Sequence, residues 1–261
     1  MALAPPAVPC ADVTIVNHSF ESPAIPADSF STTQAPTGWT AYGSVDFGWR
    51  TIGVVNPNTT LLYLDPVPHG SNVGVTFFGP SFGNSPAGMF QTLSTTLQGR
   101  TRYTLLVEVG NMAYVTSPPH NAFNFTGFPG YRIDLLAGSS TVASDNNTLL
   151  PGEGRFLTST VMLATASSDT NIGQLLGIRL VNLDAAAGIE VNFDDVRLDA
   201  TPIPDPVIAM TNLADGTLRI DFTDGLDESG DLASWTRVDP APASPFVVEP
   251  TNATRFYRAS E

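Results

Sequence analysis

The sequence predicts an all-β fold, and three observations carry that prediction. Gly and Pro number 22 each while charged residues make up only 14% of the chain, a balance that favours many turns over long helices. Apolar and polar residues alternate in short runs along the chain, which is the period of a strand. A hydrophobic share of 42% over 261 residues is enough for one large core with a small second unit.

The first strand signal is Val13 and Ile15, leading into Asn17-His18-Ser19-Phe20-Glu21 and stopped by Pro23 and Pro26. Residues 28–60 are rich in Ser, Thr, Gly and Asn, with aromatics at Trp39, Tyr42 and Phe47-Gly48-Trp49; they read as short strands joined by long loops. Val73, Val75 and Phe77 alternate within 70–78, and a loop follows over 79–88. Strands over 89–97 and 102–110 are separated by Gln98-Gly99-Arg100, a hairpin-compatible turn. In the second of these, Tyr103, Leu105, Val107 and Val109 share one face and Leu106 and Glu108 the other, so the strand belongs inside a sheet.

Residues 111–130 then form a connection too long to be idle in a compact domain, and they hold Tyr114, Phe123, Phe125 and Phe128. Strands follow at 131–137, at 156–165 and at 174–183, where Leu176, Ile178 and Leu180 share a face. In the last strand, apolar residues fall at Ile189, Val191 and Phe193 and resume at Val196 and Leu198, so the phase changes across Asp194-Asp195. An extra residue of this kind is the mark of a bulge. It leaves two adjacent carboxylates in a buried strand, where they need a partner: a metal ion, a hydrogen-bonded pairing, or solvent at the strand end.

The predicted organisation is a flexible N-terminal arm over 1–11, a β-sandwich over 12–200, a Pro-rich linker over 201–206, and a small β domain over 207–261. The first 11 residues lack a charged segment and a long apolar run, so they do not read as an intact signal peptide. No run approaches the 18 apolar residues of a membrane span. With 25 acids, 11 Arg and no Lys, the net charge is −14; such a surface repels phosphate backbones and anionic headgroups, which argues against nucleic acid and membranes as partners. The lone Cys10 excludes an internal disulfide framework.

Taken together, Asn17-His18-Ser19-Phe20-Glu21, Gly38-Trp39, Gln91-Thr92-Leu93 with Gly99-x-x-Tyr103-Thr104-Leu105, and Phe193-Asp194-Asp195-Val196-Arg197-Leu198 resemble the galactose-binding-like jelly rolls. That superfamily includes many carbohydrate-binding modules of exported bacterial proteins. The resemblance covers residues 12–200 and implies a jelly-roll β-sandwich whose first and last strands run side by side. It also implies a structural Ca²⁺ at their junction, held by Glu21 and Asp194 with Asp195 as a third ligand. Hard carboxylate and carbonyl oxygens suit that ion.

Catalytic readings find little support in the residues themselves. Asp194 and Asp195 point to opposite faces of a strand and make a poor acid/base couple. The three histidines show neither metal-type spacing nor a nucleophile turn. Trp49, Tyr63, Phe82, Tyr114, Phe123, Phe125 and Phe128 lie in loop-like contexts, where a flat ring either stacks on a sugar face or folds down as packing, and Trp49, Tyr114, Phe123, Phe125 and Phe128 form the predicted ligand-binding set. The expectation is therefore a non-catalytic, extracellular or cell-surface module that binds a glycan or polysaccharide through these rings and is stabilised by Ca²⁺. The alternative is a structural or adhesive subunit of a surface layer or fibre that packs against copies of itself. A glycan-active hydrolase or lyase is the weakest reading.

Overall fold

Alternation in the sequence becomes antiparallel pairing in the computed structural model, which describes residues 10–57, 61–79, 85–116, 120–185, 188–249 and 254–261. The chain divides into two compact units, one spanning Pro9–Thr201 and one containing Pro202–Glu261.

The larger unit is built from β1 (Ala11–Asp12), β2 (Ser29–Ser31), β3 (Thr40–Tyr42), β4 (Arg50–Asn56), β5 (Val73–Phe78), β6 (Ala87–Thr96), β7 (Thr101–Asn111), β8 (Tyr131–Ala137), β9 (Ser140–Asn146), β10 (Arg155–Ala164), β11 (Leu175–Asn182) and β12 (Glu190–Pro202). One sheet runs β10-β7-β12-β5-β4-β2 with β1 also paired to β12; the other runs β3-β6-β11-β8-β9. This is an all-β jelly-roll sandwich. Between the sheets lie Tyr103, Leu105, Val107 and Val109 of β7, Ile178 and Leu180 of β11, and Val191 and Phe193 of β12, all fully buried. Trp39 closes the same core, stacked on Phe20 with ring centroids 5.3 Å apart. Removing this much hydrocarbon from water is what holds the two layers together.

The first and last strands do run side by side: Ala11 opposes Ala200 and Asp12 opposes Asp199. The phase break of β12 falls at Asp195, whose backbone is left-handed at φ 43°. Val196 N then donates to His18 O at 2.9 Å, so the bulge is held by the segment that precedes Glu21. β12 continues to Pro202, because residues 201–202, expected to open a linker, still satisfy strand geometry.

The smaller unit contains β13 (Ile208–Asn212), β14 (Leu218–Phe222), β15 (Gly225–Ser229), β16 (Thr236–Arg237), β17 (Phe246–Val248) and β18 (Phe256–Ser260). Its two three-stranded sheets, β13-β14-β17 and β16-β15-β18, enclose Ile220, Phe222, Leu226 and Val238.

Candidate active site

Side chains alternate along a strand, so β12 turns Val191 and Phe193 into the sandwich core and presents Glu190, Asn192 and Asp194 on the other face of its sheet. That face is not left to solvent. All three residues are buried, because a second, smaller apolar cluster of Leu62, Tyr63 and Met112, with Val55, Val115, Phe125 and Phe156 packed on it, lies over the sheet. Glu190 sits opposite Phe77, and Phe77 sits opposite Thr51, which puts these three in one row across β12, β5 and β4.

A cavity of about 270 Å³ opens above this row. Its wall is mostly hydrocarbon, with Phe77, Met112, Phe123 and Phe125 prominent, and among the described lining residues only Asp28 and Glu190 are acidic or basic. The rim is closed on one side by the 28–32 segment, which Thr51 anchors by donating its hydroxyl to Thr32 O. It comes so close to β4 that a Cβ on Gly53 would lie 2.1 Å from Ser31 O, which explains a glycine in the middle of a buried strand.

Glu190 is the chemically unusual member. Burial pushes its carboxyl up to about 7, against a weaker opposing effect of the Asn192 hydrogen bond. That bond runs from Asn192 Nδ2 to Glu190 Oε1 at 3.0 Å. Tyr63 Oη in turn donates to Asn192 Oδ1 at 2.5 Å; burial raises the phenol well above its ordinary value, and the charges of Glu190 and Asp194 add to that. A carboxylic acid that titrates near neutrality inside an apolar, aromatic-lined cavity has the properties of a general acid.

The five predicted ligand-binding aromatics separate. Phe123 and Phe125 line the cavity. Phe123 packs edge-on against Phe77 at 4.9 Å and against Trp49 at 6.4 Å, so Trp49, which is 56% exposed, stands at the outer edge of the same group. Phe128 is core, buried and tilted against Tyr131 at 6.2 Å. Tyr114 is exposed and is not among the described residues of the wall.

Of the predicted metal residues, Asp195 stands apart from the other two. Glu21 Oε1 accepts from Ser71 N at 2.8 Å and Asn72 N at 2.7 Å, and Asp194 Oδ2 accepts from His69 N at 2.8 Å. Burial above all raises the Asp194 carboxyl to about 8, and the nearby charges of Asp195 and Glu21 push the same way. Asp195 turns elsewhere, to Arg197 Nε at 3.1 Å and His18 Nδ1 at 3.8 Å. Among the described residues no three His, Cys, Asp or Glu side chains form a metal-holding group.

Sequence reasoning singled out Asp194 and Asp195 but passed over Glu190 and Asn192; it read Phe77 only as a strand position and Tyr63 only as a loop aromatic, while Phe82, grouped with Tyr63, lies outside the described residues. One signal was available: Glu190, Asn192 and Asp194 occupy three successive positions on one face of a strand whose neighbours on both sides are themselves strands. A face that polar, in a strand that central, has to be covered by something that answers it.

Comparison with known proteins agrees with a catalytic reading. The HpiC1-like family, described as HpiC1 cyclase, matches residues 11–199. Among solved structures, the Stig cyclase Fisc from Fischerella sp. TAU, in complex with (3Z)-3-(1-methyl-2-pyrrolidinylidene)-3H-indole, is 33% identical at a TM-score of 0.68, covering 75% of this chain and 100% of that one. A Fischerella sp. TAU cyclase in complex with 4-(1H-indol-3-yl)butan-2-one is 34% identical at a TM-score of 0.68, with the same two shares covered. No curated protein matches the chain.

These matches correct the expectation of a non-catalytic carbohydrate-binding or adhesive module, and with it a glycan as the partner. The expected kinship with sugar-binding jelly rolls extends only to the sandwich architecture. The physical reason lies in the cavity. A sugar is covered in hydroxyls and needs polar partners, whereas Phe123 and Phe125 are folded over a hydrocarbon wall with one buried acid at its floor.

Proposed function

Because the chain belongs to the HpiC1-like family of cyclases, we propose that its larger unit closes a ring on a small aromatic, indole-bearing molecule by proton transfer from Glu190. The observation that carries this reading is the near-neutral titration of a buried glutamic acid in an aromatic-lined cavity. Oε1 accepts from Asn192, so the proton of the neutral acid belongs on Oε2. A proton delivered to a carbon–carbon double bond or a carbonyl of the substrate's side chain leaves a cation there. An electron pair from the aromatic ring or a second double bond then forms the new ring bond, and the Glu190 carboxylate takes back the proton that the closed ring releases. The product is then an isomer of the substrate; where a carbonyl takes the proton, its oxygen stays in the closed product as a hydroxyl. The faces of Phe77 and Phe123 are suited to hold a flat heteroaromatic and to shelter developing positive charge, and the apolar wall excludes water that would trap the cation.

The test is to incubate the protein with an indole bearing an unsaturated side chain and follow ring closure by NMR, since an isomerisation leaves the mass unchanged. Wild-type protein is expected to cyclise it and Glu190→Gln to lose at least a hundredfold in rate, while both still bind 4-(1H-indol-3-yl)butan-2-one. Full activity in Glu190→Gln would sink the reading.

We also propose a structural Ca²⁺ where β12 meets the segment after the first strand. In favour are two carboxylates, Glu21 and Asp194, whose hydrogen-bond donors are backbone N–H groups and whose repulsion, felt in the raised Asp194 carboxyl, a cation would relieve. These two would hold the ion, with backbone oxygens completing its shell. It has no part in the chemistry at Glu190.

A further inference from the structure

We propose that Asn192 is a positioning residue for the acid and that Tyr63 acts through it, the two together deciding which oxygen of Glu190 carries the proton that faces the substrate. The inference rests on reading Glu190 as the general acid. It starts from an ambiguity every carboxylic acid has. Its proton can sit on either oxygen, and it is useful only on the one that faces the cavity. Asn192 Nδ2 donates to Oε1 at 3.0 Å, so a proton there would meet an N–H group, and Oε2 is left as the protonated position.

The assignment is only as good as the direction of the Asn192 carboxamide. Turned over, the amide would offer its oxygen to Glu190, and the acid would donate its proton to the protein in place of the substrate. Two contacts hold the amide the right way round. Tyr63 Oη donates to Oδ1 at 2.5 Å, and Nδ2 also faces Gly74 O at 3.5 Å. Tyr63 is itself immobilised, buried and stacked on Phe156 with ring centroids 4.6 Å apart. A phenol kept neutral by burial has one proton to give, and it goes to Asn192. The roof over the sheet therefore does more than exclude water: it reaches down and sets the orientation of a group on β12.

Among the described residues, other groups facing Glu190 are few. Asp28 lies on the cavity wall, and Asp194 follows on the same face of β12; β4 and β5 contribute Thr51, Val75 and Phe77, which do not titrate. Replacing Asn192 by an apolar isostere removes a hydrogen bond that favours the carboxylate, so the neutral acid gains. The same change leaves the proton free to rotate between the two oxygens.

The experiment is an infrared titration of full-length protein carrying ¹³C-labelled glutamate, with the Glu190 carboxylic-acid band identified by its loss in Glu190→Gln. Asn192→Leu is expected to move the band's midpoint up by about one pH unit, a tenfold change in the protonation ratio. Tyr63→Phe should move it the same way by less. In the double variant the midpoint should equal that of Asn192→Leu alone, because Tyr63 acts only through Asn192. An unmoved midpoint in Asn192→Leu overturns the proposal, and so does a Tyr63→Phe shift that persists on the Asn192→Leu background. If Asn192→Leu fails to fold, the Tyr63→Phe midpoint decides alone: an upward shift supports the pair and none overturns it. If Glu190→Gln still cyclises substrate, the function reading fails independently of these midpoints.

Discussion

At the scale of one residue, Glu190 is a liability to the fold that makes sense only as chemistry. A glutamate whose carboxyl ordinarily titrates at 4.5 is held at about 7 by burial. The folded state therefore binds a proton that the unfolded chain has released, and stability falls as pH rises from about 4.5 to about 7, then levels off. The full difference is roughly 3 kcal/mol. Urea unfolding at pH 5 and pH 8 should accordingly show Glu190→Gln losing less stability than wild type between the two, by a large part of that amount; equal losses would mean that Glu190 is ionised in the fold. Asp194, raised in the same direction, contributes equally to both proteins and cancels in the comparison. Nothing in the residue type announces any of this. Glu190 was legible only as one polar position in an alternating strand, and its chemistry comes from neighbours such as Phe77 and Tyr63, more than a hundred residues away in sequence.

At the scale of an element, most strands were legible because their signal is local. The alternation over 102–110 buries Tyr103, Leu105, Val107 and Val109, and the phase break of β12 is the left-handed Asp195. The long aromatic connection over 111–130 was legible as consequential but not as a wall: Phe123 and Phe125 reach the cavity while Phe128 joins the core. Which ring goes where depends on the sheet beneath, and sequence spacing in a loop carries no period to reveal it. The same sheet explains Gly53, whose added Cβ would meet Ser31 O at 2.1 Å and Thr32 Cα at 2.8 Å. Both are backbone atoms, so the 28–32 segment would have to move. Gly53→Ala is expected to cost about 2 kcal/mol in unfolding free energy and to weaken binding of 4-(1H-indol-3-yl)butan-2-one measured by calorimetry. Gly152→Ala, with nothing within 4 Å of its Cβ, is the control and should change neither.

At the scale of the whole molecule, a net charge of −14 and the pairing of β1 with β12 set the terms for the proposed Ca²⁺. A cation between Glu21 and Asp194 would offset local repulsion and tie the ends of the larger unit. Calcium at a hundredfold excess over its Kd should raise the melting temperature by roughly 5 to 10 °C relative to chelated protein; identical melting curves would remove the ion from the account. What the sequence determined by itself is the all-β class, most of the strands and the phase break in β12, because hydrophobic alternation and turn residues act over a few positions; β9 and β15, polar in sequence, carry no such alternation. What only the tertiary structure decided is that Glu190, Phe77, Thr51 and Phe123 meet in one cavity. That meeting depends on the register of β12 on β5 and β5 on β4 and on loops folding back over the sheet, and contacts between distant segments leave no periodic trace in the chain. The carboxylate proposed to hold Ca²⁺ marks one end of a polar row, and the acid proposed to protonate the substrate lies four residues earlier.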